Sequence, residues 1–291
     1  GARVNNPPVI KAMLMAAGAR TRLRPLTEVL PKPLFPIVNR PVVEHTLNLL
    51  RRHDIREVAI NLHHEGARIR GEVGDGERWG LRVRYSVEKK LMGTAGGVKR
   101  LEGFFRDGTF LVMSGDGLTD MDLSAAIDFH RARRAMATMV LKPIDVRFEY
   151  GVTVVDARGR IKRFLEKPSW SEVFSNTVNT GIYLFEPRGF RYIPPGRMYD
   201  FGHQVWPALL RRGEPVYGYI DRRAYWCDIG NLNEYRRGHR DALDGKVRLA
   251  MPGRQVRRGV WVGEGTRIER GVTFRAPCVV GRDCRIGANA V

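Results

Sequence analysis

The last 30 residues of the chain carry an apolar residue at every sixth position, and this feature restricts the possible folds most. The repeating residues are Val262, Ile268, Phe274, Val280 and Ile286. A six-residue period is typical of a left-handed parallel β-helix, in which each apolar side chain points into a triangular core. Five hexapeptides make fewer than two full turns. We therefore expect residues 246–291 to pack on the preceding domain, to pair with another subunit, or to be truncated.

The preceding part of the chain alternates between predicted strands and helices. Short apolar runs predict strands at 10–17, 56–62, 81–88 and 109–117. Apolar residues at helical spacing predict helices at 42–53, 95–105, 122–134, 201–212 and 231–243. This alternation indicates an α/β fold with a Rossmann-like, mostly parallel sheet. We expect residues 1–245 to form one domain, followed by the short β-helix of residues 246–291.

The charge and composition of the chain exclude some classes of protein. It contains 50 Lys and Arg against 31 Asp and Glu, a formal net charge of +19, which suits polyanionic partners such as nucleic acid or phosphorylated small molecules. The arginines are spread along the chain, so we predict no nucleic-acid partner. No apolar run reaches the roughly 20 residues needed to cross a bilayer, and no signal peptide is recognisable. Three cysteines are too few for a disulfide framework, so we predict a cytoplasmic protein without a membrane partner.

A cation-rich loop follows the first predicted strand. It runs from Gly18 to Leu34 and includes Arg22, Arg24 and Lys32. Glycine lets the backbone approach a ligand closely, and guanidinium groups bind two phosphate oxygens at once, so the loop predicts a polyphosphate site. Neither the dinucleotide-binding GxGxxG motif nor a Walker A motif is present, which argues against an oxidoreductase or a P-loop NTPase.

Two acidic residues lie at predicted strand ends or in tight turns. Asp116 is part of the sequence SGDG, and Asp228 is part of WCDIG. A single aspartate in such a place is more often only a turn former. Beside a polyphosphate site, the two become candidate ligands for Mg²⁺, which takes one or two carboxylates together with substrate phosphate oxygens. Asp120 and Asp122 are instead predicted to cap the next helix.

Six ordered motifs resemble those of the sugar-phosphate nucleotidyltransferases, the nucleotide-sugar pyrophosphorylases. They are MAAGARTRLRPLTEVLPKPL at 15–34, GTAGG at 93–97, SGD at 114–116, FLEKP at 164–168, VNTGIY at 178–183 and WCDIG at 226–230. The resemblance covers nearly the whole chain. It is strongest to bacterial mannose-1-phosphate guanylyltransferase-like proteins that carry a C-terminal hexapeptide β-helix.

The resemblance implies roles for the residues that match these motifs. The nucleoside triphosphate would be bound by Ala16, Ala17, Gly18, Arg20, Arg22, Lys32, Glu88, Gly93, Thr94 and Ala95. The sugar phosphate would be bound by Gly151, Glu166, Lys167, Asn179 and Thr180. Mg²⁺ would be bound by Asp116 and Asp228, and the implied catalytic set is Arg22, Lys32, Asp116, Lys167 and Asp228. A phosphate oxygen of the sugar attacks the α-phosphorus directly and pyrophosphate leaves, so no protein nucleophile is needed.

The identity of the substrates is less constrained than the reaction class. By alignment with the family, Glu88 faces the base, and a carboxylate suits the N1–H and N2–H donors of guanine. This favours GTP with mannose 1-phosphate, and UTP with glucose 1-phosphate is the alternative. Arg20 stands where the family usually has a second glycine, which leaves open a catalytically weak regulatory paralogue that binds nucleotide sugars. The β-helix suggests a homo-oligomer.

Overall fold

The structure is a computed structural model that describes residues 9–18, 23–143, 152–166 and 177–291. The chain divides into two compact units. The first unit consists of Gly1–Ala19, Leu50–Gly115 and Met121–Arg223, and the second consists of Arg20–Leu49, Asp116–Asp120 and Ala224–Val291. The predicted boundary between residues 245 and 246 stays a prediction.

The described residues form strands and short helices along the whole chain. The strands are β1 (Lys11–Met15), β2 (Pro36–Ile37), β3 (Arg40–Pro41), β4 (Glu57–Leu62), β5 (Arg82–Val87), β6 (Phe110–Ser114), β7 (Gly117–Thr119), β8 (Ala137–Pro143), β9 (Val152–Val155), β10 (Ile161–Leu165), β11 (Thr177–Phe185), β12 (Val216–Ile220), β13 (Trp226–Asp228), β14 (Arg254–Arg257), β15 (Val260–Val262), β16 (Arg267–Ile268), β17 (Cys278–Val280) and β18 (Arg285–Ile286). The α-helices are α1 (Leu26–Val29), α2 (Val42–Arg52), α3 (Gly66–Val73), α4 (Gly93–Lys99), α5 (Glu102–Phe105), α6 (Leu123–Ala132), α7 (Trp206–Arg211) and α8 (Leu232–Leu243).

The first unit is built on a nine-stranded sheet, in which β10, β9, β11, β6, β1, β4 and β5 are successive neighbours. Strand β1 pairs in parallel with β4 and β6, and β4 pairs in parallel with β5. Strand β11 is antiparallel to β6 and β8, and the β9–β10 hairpin extends that side of the sheet. The α/β sheet predicted from the alternating pattern is therefore confirmed. Its parallel strands β1 and β6 run directly into the loops that carry Gly18 and Asp116.

Aromatic side chains fill the core of the first unit. Phe110 on β6 stacks on Phe190 with ring centroids 5.3 Å apart, and Phe201 stacks on Trp206 at 5.0 Å. Tyr183 on β11 contacts both Phe201 and Trp206 edge-on or tilted. Burial of such large rings contributes most of the packing energy in a region of this kind. The contacts hold the segment around residue 201 against β11.

The second unit combines a small core with the C-terminal repeat. Strands β7 and β13 form an antiparallel ladder over a buried cluster that includes Phe35, Leu118, Cys227 and Ile229. In the repeat, β15 pairs in parallel with β17, and β16 pairs with β18, so that each residue faces one 18 positions later. Three hexapeptides per coil are the geometry of a hexapeptide β-helix. The β-helix predicted from the six-residue period is confirmed.

Several local predictions differ from the structure. The predicted loop 18–34 contains the four-residue helix α1 and a 3₁₀ turn at Lys32–Leu34. The helix predicted at 95–105 is split into α4 and α5, and the helix predicted near 201–212 begins as a π-helix at Phe201–Val205 before α7. Asp122 caps α6 as predicted, by accepting from the Ala125 N–H at 3.0 Å. The prediction for Asp120 is wrong, because its carboxylate instead accepts from the backbone N–H groups of Tyr225 and Arg248, each at 2.7 Å.

Candidate active site

In the second unit, the β7–β13 ladder brings two aspartates together that are far apart in sequence. Asp116 directly precedes β7, and Asp228 ends β13 in register with Gly117. The backbone N–H of Ile229 donates to the carbonyl of Asp116 at 3.1 Å, which continues the ladder past Asp228. Each aspartate therefore lies at the same end of the ladder as the other. The sequence placed them only at two separate strand ends or turns, and register supplies their proximity.

A lysine from a third segment lies beside one of the two aspartates. Lys32 lies in the 3₁₀ turn of the PKP sequence, and its Nζ is 3.5 Å from Oδ2 of Asp116. The Lys32 side chain is only 12% exposed, while that of Asp116 is 28% exposed, so the pair is accessible mainly from the aspartate side. Solvent screens an ion pair with a mostly buried ammonium less than it screens a pair on the open surface.

The donor set of this cluster fits a hard divalent cation. Mg²⁺ takes oxygen ligands and is usually bound by one or two carboxylates plus substrate phosphates and water, rather than by an all-protein cage. Among the described residues, no group of three or more His, Cys, Asp or Glu side chains could bind a metal ion. Two aspartates at one end of a ladder match the smaller requirement of Mg²⁺, with the remaining ligands left to substrate and water.

Cys227, between Trp226 and Asp228, supports this cluster without taking part in chemistry. The side chain is fully buried, and its Sγ lies 3.6 Å from the carbonyl oxygen of Glu234 and 3.6 Å from Nη2 of Arg237, both on α8. Burial raises the pKa of the Cys227 thiol to about 11, so the group stays protonated at neutral pH. A buried neutral thiol is a packing residue that holds β13 against α8.

In the first unit, the loop after β1 is anchored by an asparagine. Oδ1 of Asn61, on β4, accepts from the backbone N–H of Ala16 at 2.7 Å and from that of Ala17 at 3.3 Å. These two amides therefore point toward Asn61. Among the described residues, no heavy atom lies within 4 Å of a Cβ added at Gly18, so none of these residues fills the space beside it. The predicted nucleotide residues Arg20 and Arg22 lie outside the described residues.

Glu88 is buried and bonded to the protein. It is 2% exposed, its Oε1 accepts from Nδ2 of Asn61 at 2.9 Å, and its Oε2 accepts from the backbone N–H of Met92 at 3.1 Å. Because each oxygen already has a donor within the chain, this arrangement favours a supporting role for Glu88 over direct contact with a base. The sequence-based preference for guanine, which depended on that contact, loses its main support.

The GTAGG segment forms the start of α4 and is clamped by the chain around residue 200. Oδ1 of Asp200 accepts from both the backbone N–H and the hydroxyl of Thr94, at 2.8 and 3.1 Å. The carbonyl of Tyr199 accepts from the N–H of Ala95 at 2.9 Å. Gly93 has a φ of +72°, and a Cβ there would lie 2.6 Å from the Tyr199 carbonyl oxygen. Only glycine fits this turn, which explains the first glycine of the motif.

The residues implied for the sugar phosphate occupy β10 and β11. Nδ2 of Asn179 donates to the hydroxyl of Tyr183 at 2.8 Å, while the buried Thr180 hydroxyl donates to the Val140 carbonyl at 2.7 Å. Glu166 follows β10, and a Cβ added at Gly202 would collide with its Oε2. Glu166 thus lies directly against the π-helical segment. The two other predicted sugar residues, Gly151 and Lys167, lie outside the described residues.

Sequence reasoning missed two residues of this region, Asn61 and Asp200. Asn61 is a polar residue inside the otherwise apolar strand sequence EVAINL, and it is 1% exposed. A buried amide in a strand must find hydrogen-bond partners, so this local irregularity was the available signal. Asp200 has no comparable signal, because its partner Thr94 is more than one hundred positions away.

The fold and these motifs define a family. Residues 11–245 match the model of the nucleotidyl transferase family, and residues 259–291 match that of the bacterial transferase hexapeptide (six repeats). The chain belongs to the nucleotidyl transferase family, and it is a sugar-phosphate nucleotidyltransferase with a C-terminal hexapeptide repeat. The family resemblance given by the six motifs is confirmed.

Two individual relatives are similar to this chain over nearly its whole length. The chain is 38% identical over 315 residues to the UTP–glucose-1-phosphate uridylyltransferase of Synechocystis, covering 97% of this chain and 81% of the relative. It is 34% identical over 280 residues to the mannose-1-phosphate guanylyltransferase of Mycobacterium tuberculosis, covering 96% of this chain and 77% of the relative.

Solved structures agree in fold. A Bacillus anthracis protein assigned as a glucose-1-phosphate thymidylyltransferase superposes with a TM-score of 0.74 at 24% identity, over 83% of this chain and 98% of that chain. HddC from Yersinia pseudotuberculosis superposes with a TM-score of 0.69 at 19% identity, over 80% of this chain and 100% of that chain. Within the described residues, no helix is both long and apolar enough to cross a bilayer.

Proposed function

We propose that this chain joins a nucleoside triphosphate to a hexose 1-phosphate at a site that includes Lys32, Asp116 and Asp228, and releases pyrophosphate. The observation that carries the proposal is the placement of these residues: the two aspartates lie at the same end of the β7–β13 ladder, and Nζ of Lys32 is 3.5 Å from Oδ2 of Asp116. A reaction whose attacking group is already a phosphate anion needs charge neutralisation and positioning rather than a protein nucleophile. This cluster offers that chemistry.

Each residue of the cluster has a distinct part in this proposal. Asp116 and Asp228 hold Mg²⁺, and Lys32 keeps a fixed positive charge beside Asp116 for the phosphate groups. When bound, Mg²⁺ supplies neutralisation of the charge that develops as the bond between the α- and β-phosphates breaks. The roles implied for Arg22 and Lys167, which lie outside the described residues, remain part of the proposal on the basis of the motifs alone.

For the substrate pair, we place GTP with mannose 1-phosphate first. Relatives named for that guanylyltransferase come from Mycobacterium tuberculosis at 34% identity and from Arabidopsis thaliana, as a probable enzyme, at 31%. UTP with glucose 1-phosphate is the second candidate, because the Synechocystis relative named for it is 38% identical over nearly the whole chain. The internal bonds of Glu88 also weaken the case for a carboxylate that reads guanine.

The test is pyrophosphate release with Mg²⁺ over a grid of substrates. GTP, UTP, ATP, CTP and dTTP are each combined with the 1-phosphates of mannose, glucose, galactose and N-acetylglucosamine. We expect turnover with GTP and mannose 1-phosphate, and none after chelation of the metal. Turnover only with UTP and glucose 1-phosphate would select the second candidate. No turnover in any combination, with nucleotide sugar still bound in calorimetry, would overturn the enzymatic proposal in favour of a regulatory nucleotide-sugar-binding protein.

We also infer that the β-helix mediates pairing with a second copy of this chain. Its repeating apolar position is well covered at Val262, which is 8% exposed, but Ile268 is 41% exposed. An incompletely covered apolar ladder is the surface that association would bury. Light scattering coupled to size exclusion should give a dimer or larger assembly for the wild type and a smaller species for Ile268→Asp. An unchanged mass in that variant would remove the β-helix from the interface.

A further inference from the structure

We propose that Asn61 is a positioning residue of the nucleotide site, acting as the centre of a hydrogen-bonded relay from Glu88 to the loop after β1. The inference rests on the proposed function, in which the loop at residues 16–18 belongs to the triphosphate site. Asn61 itself touches no substrate in this proposal. It fixes the direction in which the chain leaves β1.

The hydrogen bonds define the orientation of the Asn61 amide without ambiguity. Its oxygen faces two backbone donors, the N–H groups of Ala16 and Ala17, at 2.7 and 3.3 Å. Its nitrogen faces a carboxylate oxygen of Glu88 at 2.9 Å, which can only accept. Exchanging oxygen and nitrogen would place donor against donor on one side and acceptor against acceptor on the other. Asn61 is 1% exposed, so water cannot easily replace these partners.

The relay also reaches the GTAGG motif. The second oxygen of Glu88 accepts from the N–H of Met92, the residue that precedes α4. A Cβ added at Gly97 would lie 2.6 Å from Oε1 of Glu88 and 3.0 Å from Nδ2 of Asn61. Glycine is therefore required there to leave room for the pair. One carboxylate and one amide tie the loop after β1 to the start of α4, two segments that belong to different motifs.

The geometry has a consequence for phosphate binding. Because the N–H groups of Ala16 and Ala17 point at Asn61, they are turned away from any phosphate that the loop binds. Their part is to hold the chain in place, while the space beside Gly18, which no residue in the described part of the chain fills, is where a ligand would approach. Loss of the relay would allow the loop to rotate, which weakens triphosphate binding without removing any charged group from the site.

The relay can be tested by exchanging the amide of Asn61 and the carboxylate of Glu88. Asn61→Leu removes the relay at similar volume. Asn61→Asp keeps the acceptor for the loop but opposes two carboxylates, and Glu88→Gln leaves one donor facing another. The double variant Asn61→Asp/Glu88→Gln restores every bond, because the new glutamine donates to Asp and accepts from Met92. Asp156→Ala is the matched control, since Asp156 also accepts from two backbone N–H groups, those of Arg158 and Arg160, in the β9–β10 turn.

We expect Asn61→Leu to raise the apparent KM for the nucleoside triphosphate by about tenfold or more, the loss typical of a buried hydrogen-bonded pair. Each single exchange should raise it by less, and the double variant should return to within about threefold of the wild type. Asp156→Ala should leave KM unchanged. A double variant no better than the worse single variant would overturn the relay. The relay would also be overturned if Glu88→Gln changed the ratio of GTP to UTP turnover and the Asn61 variants did not. That result would show that Glu88 contacts the base.

Hydrogen exchange of the nucleotide-free protein separates this inference from the proposed function. The peptide that contains Ala16 and Ala17 should exchange faster in Asn61→Leu and return to the wild-type rate in the double variant. If the variants show this pattern but the wild-type protein turns over no substrate pair, the relay is retained and the proposed reaction is rejected. Wild-type turnover with unchanged exchange in Asn61→Leu would retain the reaction and reject the relay.

Discussion

The two units differ in how the polar groups of their candidate functional residues are used. In the first unit, Asn61 and Glu88 are 1% and 2% exposed, and their hydrogen bonds are all made within the chain. In the second unit, Nζ of Lys32 lies 3.5 Å from Oδ2 of Asp116, whose side chain is 28% exposed. Asp228 lies at the same end of the β7–β13 ladder as Asp116. Buried bonded groups fix geometry, whereas accessible charges act on a ligand. Substitutions should therefore affect substrate affinity in the first unit and turnover in the second.

The largest expected effect is in the charged cluster. Asp116→Asn or Asp228→Asn keeps the shape of the side chain and removes the charge. We expect turnover to fall by about 10³-fold or more, because a group that stabilises transition-state charge is lost, while the melting temperature stays within a few degrees of the wild type. Steady-state kinetics and thermal unfolding measure both. Full activity in either variant would exclude that aspartate from metal binding.

Asp120 provides the matched control for these two variants. It belongs to the same segment of the chain, but its carboxylate accepts from the N–H groups of Tyr225 and Arg248. Asp120→Asn loses one of these bonds and should cost about 1–2 kcal/mol of unfolding free energy, with turnover nearly unchanged. If Asp120→Asn were as inactive as Asp116→Asn, loss of turnover would report disruption of the segment rather than loss of the metal ligand.

An intermediate effect is expected at the clamp on α4. Thr94→Val removes the hydroxyl that donates to Asp200, and Thr94→Ser keeps it. We expect Thr94→Val to raise the KM for the nucleotide by about three- to tenfold through loosening of the first turn, as for loss of a helix cap, with kcat less affected. Thr94→Ser should resemble the wild type. A larger fall in kcat than in affinity would show that Thr94 contacts the reacting groups, contrary to the comparison above.

The sequence predicted what local patterns encode and missed what depends on pairing. The six-residue period gave the β-helix, and strand ends gave Asp116 and Asp228, because both features repeat or terminate within a few residues. No local pattern shows that β13 pairs with β7, or that Asp200 bonds Thr94, since these contacts join distant parts of the chain. Glu88 shows the same limit: its position in a motif suggested the base, whereas its bonds to Asn61 and Met92 are visible only in three dimensions.

A smaller effect, on the pH dependence of stability, is expected at a buried histidine of the second unit. Nε2 of His45 lies 3.0 Å from the Ile37 carbonyl, and its Nδ1 has no hydrogen-bond partner among the described residues. Burial lowers the pKa of His45 from its usual value of 6.5. The unfolded chain therefore binds the proton first, so stability is complete above pH 6.5 and falls as the pH drops toward the folded-state pKa.

His45→Gln can still donate to Ile37 but cannot titrate. We expect the wild type to lose up to about 1.4 kcal/mol more per pH unit than the variant in the acidic range. Urea unfolding at pH 8 and pH 5.5 measures the difference. Equal acid sensitivity of the two proteins would show that His45 takes up its proton in the folded state as readily as in the unfolded state.

The smallest effect is expected where charges are exposed and no ligand is proposed. Glu269 in the β-helix accepts from Nε and Nη2 of Arg285, at 3.1 and 2.8 Å, but the Arg285 side chain is 80% exposed. Arg285→Ala should therefore cost only about 0.5 kcal/mol, and less in high salt. Glu269→Ala should cost more, because the second carboxylate oxygen also accepts from the N–H of Ala288. Urea unfolding at low and high salt measures both losses of stability. We expect only the loss of the Arg285–Glu269 ion pair, which both variants share, to depend on salt. A larger loss of stability in Arg285→Ala would mean that solvent screens this ion pair less than the exposed fraction of Arg285 indicates. The screening of the less exposed Lys32–Asp116 pair would then also be weaker than its exposed fractions indicate.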